Sequence, residues 1–187
     1  LSDVWTKSKT SFDYSLAFPE WWERDVEAMV AKDFNHPSVI MYSIGNEIFE
    51  VGTPIGSTWG RHLAEKFRAL DNSRFLTNGI NGFVATIDKV GKLMGAQAAE
   101  QPQDVNSMLS AMNQFMRQLA ASDMVTLATE ESAAVLDVVG LNYADSRYEL
   151  DATRFPNRVI VGSETFAGEI DELWRLVKAN RHVIGDF

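Results

Sequence analysis

Phe34-Asn35-His36-Pro37-Ser38-Val39-Ile40-Met41-Tyr42-Ser43-Ile44-Gly45-Asn46-Glu47 is the stretch whose reading decides the fold. Val39 to Ile44 is an apolar run too short for a free-standing helix. Its Val/Ile content, with Pro37 and Gly45 on its flanks, predicts a buried strand. Gly45, Asn46 and Glu47 follow at once, so a carboxylate stands where a strand gives way to a loop. Alone, this is a turn with a solvated Glu. Its meaning changes because Arg158 to Ser163, far along the chain, also reads as a strand and also ends on a carboxylate, Glu164.

Outward from that stretch, helices and strands alternate. Leu1 to Ala17 is an aromatic and polar lead-in without a clear period. Pro19 suits a first helical turn, where a missing N–H is harmless. Trp22, Val26, Met29 and Val30 then form one apolar stripe. Past Glu47, a Gly/Pro-rich loop leads to Ser57 as a candidate N-cap, and Trp59, Leu63, Phe67 and Leu70 recur at helical spacing. Arg74 to Thr77 predicts a short strand, followed by Asn78-Gly79 and Asn81-Gly82. Phe83 to Met94 reads as helical and Gly95 to Pro102 as a linker. Asp104 to Ala121 is an amphipathic helix with Val105, Met108, Leu109, Met112, Met116 and Leu119 on one side. Its methionines read as core packing. A shorter helix covers Thr126 to Val135. Leu136 to Leu141 predicts a strand ending at Asn142-Tyr143. Arg147 to Arg154 is a weak helix, Ile170 to Val177 another, and His182 to Phe187 the start of a further strand.

The predicted class is therefore α/β, because parallel strands need long crossovers between them. Five strands fit either an open doubly wound sheet or part of a (β/α)8 barrel of the TIM-barrel type. No Gly-rich phosphate loop follows the early strands, which counts against nucleotide binding. Composition narrows little further. The 187 residues are 45% hydrophobic, and 17 basic against 26 acidic side chains give a formal charge of −9. That charge argues against nucleic-acid and anionic-membrane surfaces. With no cysteine there is no disulfide and no thiolate metal site, and the redox compartment is left open. No stretch approaches the ~18 apolar residues of a membrane span, and no signal peptide is visible.

In a parallel α/β fold all strand C-termini open onto one face, where functional groups collect. Glu47, Asn142 with Tyr143, and Glu164 each fall at such an end, with Asp186 near the end of the last strand. Two carboxylates across a cleft are the minimum equipment for cleaving a glycosidic bond, one as acid and one as base or nucleophile. The alternative use of the pair is a hard-metal site, which wants more oxygen ligands. The three histidines show no ligand spacing.

The segment from Asn35 to Glu47 resembles the acid/base signature of glycoside hydrolase family 2, the family of β-galactosidases, β-glucuronidases and β-mannosidases. Four more segments resemble that family in order. They are Trp21 to Met29 (the helix before the fourth strand), Asp137 to Tyr143 (sixth strand), Arg158 to Phe166 (seventh-strand nucleophile segment) and His182 to Phe187 (start of the eighth). The resemblance implies Glu47 as general acid/base and Glu164 as nucleophile. It implies Asn46 at the sugar 2-hydroxyl and Tyr143 as hydrogen-bond donor to the nucleophile. The reaction implied is double displacement with retention, without metal or organic cofactor, on a carbohydrate substrate, with β-galactosides favoured over β-glucuronides or β-mannosides. Trp5, past the expected third strand, either lines the sugar pocket or simply packs. His36 precedes its strand and reads as structural.

Residues 1–187 are thus expected to form an incomplete barrel, covering about strands four to eight. Residues 81–130 form a helical excursion at the active-site face. Two open sheet edges invite either the rest of a longer chain or self-association. The expected consequence is a fragment with little activity by itself. A non-catalytic carbohydrate-binding or assembly module is the competing expectation.

Overall fold

The computed structural model describes residues 1–94 and 105–187. Five strands form one sheet: β1 (Met41–Asn46), β2 (Phe75–Asn81), β3 (Val139–Asn142), β4 (Ile160–Glu164) and β5 (Val183–Asp186). All neighbours pair in parallel, and spatial order follows chain order. That order separates the two architectures left open by the sequence. A doubly wound sheet reverses its strand order part-way, whereas a barrel arc adds each strand beside the last. The sheet is a five-strand arc of a TIM-type barrel, which has eight when complete.

Helices α1 (Phe18–Asp33) and α2 (Pro54–Leu70) flank the first two strands in sequence. Four helices connect β2 to β3: α3 (Gly82–Ala85), α4 (Ile87–Met94), α5 (Val105–Ala120) and α6 (Asp123–Ala133). They occupy the predicted excursion, whose expected linker at Gly95 to Pro102 lies outside the described residues. Helices α7 (Arg147–Arg154) and α8 (Ile170–Ala179) complete the crossovers.

The main core lies between strands and helices. Val26 and Val30 of α1 and Leu63 and Phe67 of α2 pack with Tyr42, Ile44, Leu76, Ile80, Val139, Leu141 and Ile160. Tyr42 therefore turns outward to the helix layer, with its ring stacked on Phe67 at 5.3 Å. A smaller cluster of Val90, Leu119 and Val125, with Phe83, Phe115 and Met124, holds the excursion together. Leu119 of the predicted α5 stripe is buried there, while Met112 is exposed. The side chains of Val105, Met108 and Leu109 lie outside the described residues.

Two local expectations are corrected. The N-cap of α2 is Thr53, whose hydroxyl accepts from the Gly56 N–H at 3.3 Å, with Pro54 at the first helical position. Ser57 lies inside the helix, buried against Ser132. Second, β2 does not end at Thr77 but runs on through Asn78-Gly79 to Asn81. An Asn-Gly pair suits a hairpin, but here both residues are buried, and Gly79 pairs with Asn46 on one side and Gly140 on the other.

The N-terminal pole of the arc is clamped by one arginine. Arg74 donates to the carbonyls of Phe34 (2.7 Å), His36 (3.2 Å) and Val39 (2.7 Å), and to the Asp71 carboxylate (2.5 Å). His36 thus sits at this pole as a backbone acceptor, in keeping with its structural reading. Asp71 also accepts from Tyr42 and Ser73. The Ser73 hydroxyl bond, chiefly, and then Arg74 and Tyr42 lower the Asp71 pKa from 3.8 to about 2, against the opposing effect of burial. Since the folded value is depressed, this stabilisation is whole above pH ~4 and is lost as pH falls from there towards 2. Arg74→Met would strand a buried carboxylate and three carbonyls. Urea unfolding at neutral pH is expected to show a loss of about 3–5 kcal/mol. A loss below about 1 kcal/mol would give the cluster only the weight of a surface ion pair.

Candidate active site

The C-terminal ends of the strands are irregular where the chemistry was expected. Between Ser43 and Asn46 β1 carries one residue more than its partner β2. β4 carries one extra against β3 at Ser163, and β5 one extra against β4 before Asp186. Bulges of this kind re-aim side chains and are common beside active sites. Past them, Glu47 and Tyr143 take left-handed backbone, at φ 50° and 54°. For residues with a Cβ this costs about 1–3 kcal/mol each. Each is held by a backbone bond from its own N–H, Glu47 to the Gly79 carbonyl and Tyr143 to the Glu164 carbonyl, both at 2.8 Å.

The side chains converge. The Asn142 amide nitrogen donates to Asn46 Oδ1 at 2.9 Å and to Glu164 Oε2 at 3.0 Å, with Glu47 Oε1 at 3.4 Å. With only two N–H bonds available, the two shorter contacts are the principal ones. Asn81 donates to Glu47 Oε1 at 2.7 Å, and Tyr143 donates its hydroxyl to Glu164 Oε1 at 2.5 Å. Asn142 is oriented in turn by Ser163, which donates to its Oδ1 at 2.7 Å. Gly79 makes room for this network: a Cβ there would stand 2.4 Å from Asn46 Oδ1 and 2.9 Å from Asn142 Oδ1. The bond to Glu164, then burial and the nearby carboxylate charges, raise the Tyr143 pKa from 10 to about 12. Tyr143 therefore remains a protonated donor throughout the neutral range.

Four of the five predicted site residues, Glu47, Glu164, Asn46 and Tyr143, thus share one hydrogen-bonded cluster. Trp5 does not join it. Its indole has 0% exposure, donates to the Ile44 carbonyl at 3.2 Å, and lies within the hydrophobic core. Glycines 45 and 60 give it space, with its ring 3.2 and 3.6 Å from where their Cβ atoms would be. Packing, the other reading of Trp5, is what the structure has. Asp186 is similarly occupied, accepting from Tyr148 (2.5 Å) and Thr165 (2.6 Å).

Sequence reasoning left three contributors out of the site. Asn142 was noted at a strand end but not as the bridge, and Asn81 was placed beyond the end of its strand. Glu50 gave no signal. It is buried, and its Oε1 accepts from the Thr6 and Lys7 N–H groups (2.7 and 2.5 Å) and the Thr6 hydroxyl (2.8 Å). This fastens the N-terminal segment to the loop that follows Glu47.

Comparison with known proteins agrees with the fold. Residues 5–114, more than half of the chain, match the family model for "Glycosyl hydrolases family 2, TIM barrel domain". The chain belongs to glycosyl hydrolase family 2. It is 30% identical over 172 residues to beta-galactosidase BoGH2A of Bacteroides ovatus, covering 87% of this chain and 18% of that protein. It is 37% identical over 78 residues to a putative beta-glucuronidase of Formosa agariphila, covering 41% of this chain and 7% of that one. A crystal structure of a family 2 member from Bacteroides cellulosilyticus superposes with a TM-score of 0.73 at 34% identity, over 99% of this chain and 18% of that one. The chain therefore spans under a fifth of these relatives' length, and its arc corresponds to part of their barrel.

Proposed function

We propose that this chain supplies the reacting carboxylates of a retaining β-glycosidase, working within a complete barrel, with terminal β-galactosides as the favoured substrates. The observation that carries the reading is the shared contact of both carboxylates with one amide nitrogen, that of Asn142. The two contacting oxygens stand no farther apart than those two contact lengths laid end to end. Two carboxylates each with an oxygen within 3.4 Å of one nitrogen favour the closely set pair of a retaining enzyme, ~5–5.5 Å apart, over the wider pair of an inverting one, which must admit a water between them. The groups bonded to the pair here, Asn81, Asn142 and Tyr143, are all donors. Two donors on Glu164, one at each oxygen, suit an ionised nucleophile, whereas a hard cation would need further oxygen ligands.

In this mechanism a Glu164 oxygen attacks the anomeric carbon as the bond to the leaving oxygen breaks. Glu47 gives its proton to that oxygen. Water then attacks the glycosyl ester, Glu47 takes a proton from it, and Glu164 departs as carboxylate. Tyr143 and Asn142 fix the two oxygens of Glu164, so little reorganisation is needed as its charge is consumed and restored. Asn46, oriented by its bonds to Asn142 and Asp3 (3.0 Å), takes the 2-hydroxyl, a contact that strengthens in the transition state. Glucuronides are the second reading, supported by the likeness to the Formosa agariphila protein.

Proton NMR of the first-formed sugar, using the full-length enzyme of which this chain is a part, tests the stereochemistry. The β-anomer is expected to appear first. Initial release of the α-anomer would refute a retaining mechanism.

A further inference from the structure

Beyond the residues that touch the reacting groups, one side chain of the excursion is joined to both loops behind them. Arg117, near the C-terminal end of α5, reaches Asp145 with its Nε at 3.2 Å and Glu169 with its Nη2. Asp145 is two residues past Tyr143. Glu169 ends the 3-10 turn Ala167–Glu169 that follows Glu164. The same turn of α5 is also tied by backbone, since the Arg117 carbonyl accepts from the Ser146 hydroxyl at 2.9 Å. One helical turn further, the Ala120 carbonyl accepts from buried Arg147 at 2.9 Å.

These contacts close a ring around the nucleophile. Glu169 donates its N–H to the Phe166 carbonyl at 2.9 Å, and the Phe166 ring lies against Tyr143, centroids 4.8 Å apart. Tyr143 holds Glu164 at 2.5 Å. From Arg117, one arm thus runs through Asp145 to Tyr143, and the other through Glu169 and Phe166 to the same ring. Tyr143 stands in left-handed backbone, so its position depends on surroundings that over-determine it.

We infer that Arg117 is a positioning residue: it makes the excursion helix α5 set the alignment of Tyr143 with Glu164. The inference rests on the function proposed above. Lysine cannot replace it fully, because a single ammonium lacks the planar fork that serves two carboxylates at once. The substrate is not touched by Arg117, so its loss acts on the chemical step more than on sugar binding. Misplacement by about 1 Å lowers rates by up to ~100-fold.

The test uses the full-length enzyme and a fluorosugar glycoside with a dinitrophenyl leaving group, in β-galactoside and β-glucuronide forms. Four quantities are read: the labelled residue, the labelling rate, the Kd of a neutral thioglycoside, and the melting temperature. In wild type the label is expected on Glu164. In Arg117→Ala labelling is expected to slow ~10–100-fold with the thioglycoside Kd nearly unchanged. Arg117→Lys and Glu169→Gln, each keeping one arm, should fall in between while melting close to wild type. Labelling at the wild-type rate in Arg117→Ala, or wild-type labelling by both one-arm variants beside an unfolded Arg117→Ala, would overturn this inference alone. A wild-type label on another residue would overturn the proposed function, and this inference with it.

Discussion

Glu164→Gln is expected to lower turnover by at least ~10⁴-fold, the order seen when a covalent nucleophile is removed. The substitution is nearly isosteric and replaces one acceptor oxygen with an amide. Tyr143 and Asn142 both donate to Glu164. With its nitrogen towards Asn142 the amide meets another donor; turned the other way it donates to the Tyr143 hydroxyl, which must accept and so gives up its own bond. The change removes the attacking oxygen's charge and disturbs the cradle at the same time. Kinetics of the full-length variant on a chromogenic β-galactoside check this. A non-catalytic carbohydrate-binding module would bind sugar without turnover and be indifferent to the substitution, so the variant also separates the two functional classes.

Glu47→Ala is expected to give a deficit that depends on the leaving group. Aryl glycosides with acidic leaving groups need little protonation, so their first step should be nearly preserved. An alkyl galactoside or disaccharide should lose ~10²–10⁴-fold, the usual contribution of a positioned general acid. The second step loses its base in both cases, so glycosyl-enzyme should accumulate with the aryl substrates and appear as a burst. Parallel steady-state and burst measurements across a leaving-group series check this. Equal deficits across the series would remove Glu47 from the acid role.

The parts of this site that were legible in the sequence are those that need only local pattern. A short apolar run rich in Val and Ile and bounded by Pro37 and Gly45 reads as a strand from its own residues, and Glu47 follows directly on its last residue, Asn46. Glu164 and Tyr143 were placed the same way, and strand–helix alternation then put all three at one face. The bridging role of Asn142 was not legible, because it depends on register. Asn142 is opposite Glu164 only because Ser163 bulges out of the ladder, and Asn46 reaches it only because β1 gains a residue after Ser43. Asn81 was obscured by a local rule. Asn-Gly pairs favour turns in isolation, whereas here flanking strands extend β2 through residue 81, and Gly79 is needed to admit two amide side chains. Trp5 was left between two readings for a related reason: the space it fills comes from two glycines, one of them 55 positions away on α2.

The central claim is that Glu164 forms the covalent bond to the sugar while Glu47 shuttles the proton. Its most direct test is to trap the full-length enzyme with the fluorosugar probe, digest it, and map the added mass by tandem mass spectrometry. The account predicts one modified peptide from the Arg158 to Phe166 segment, with the sugar on Glu164 and loss of activity in proportion to labelling. A label on Glu47 or on any residue outside that segment, or inactivation without a covalent adduct, would contradict it.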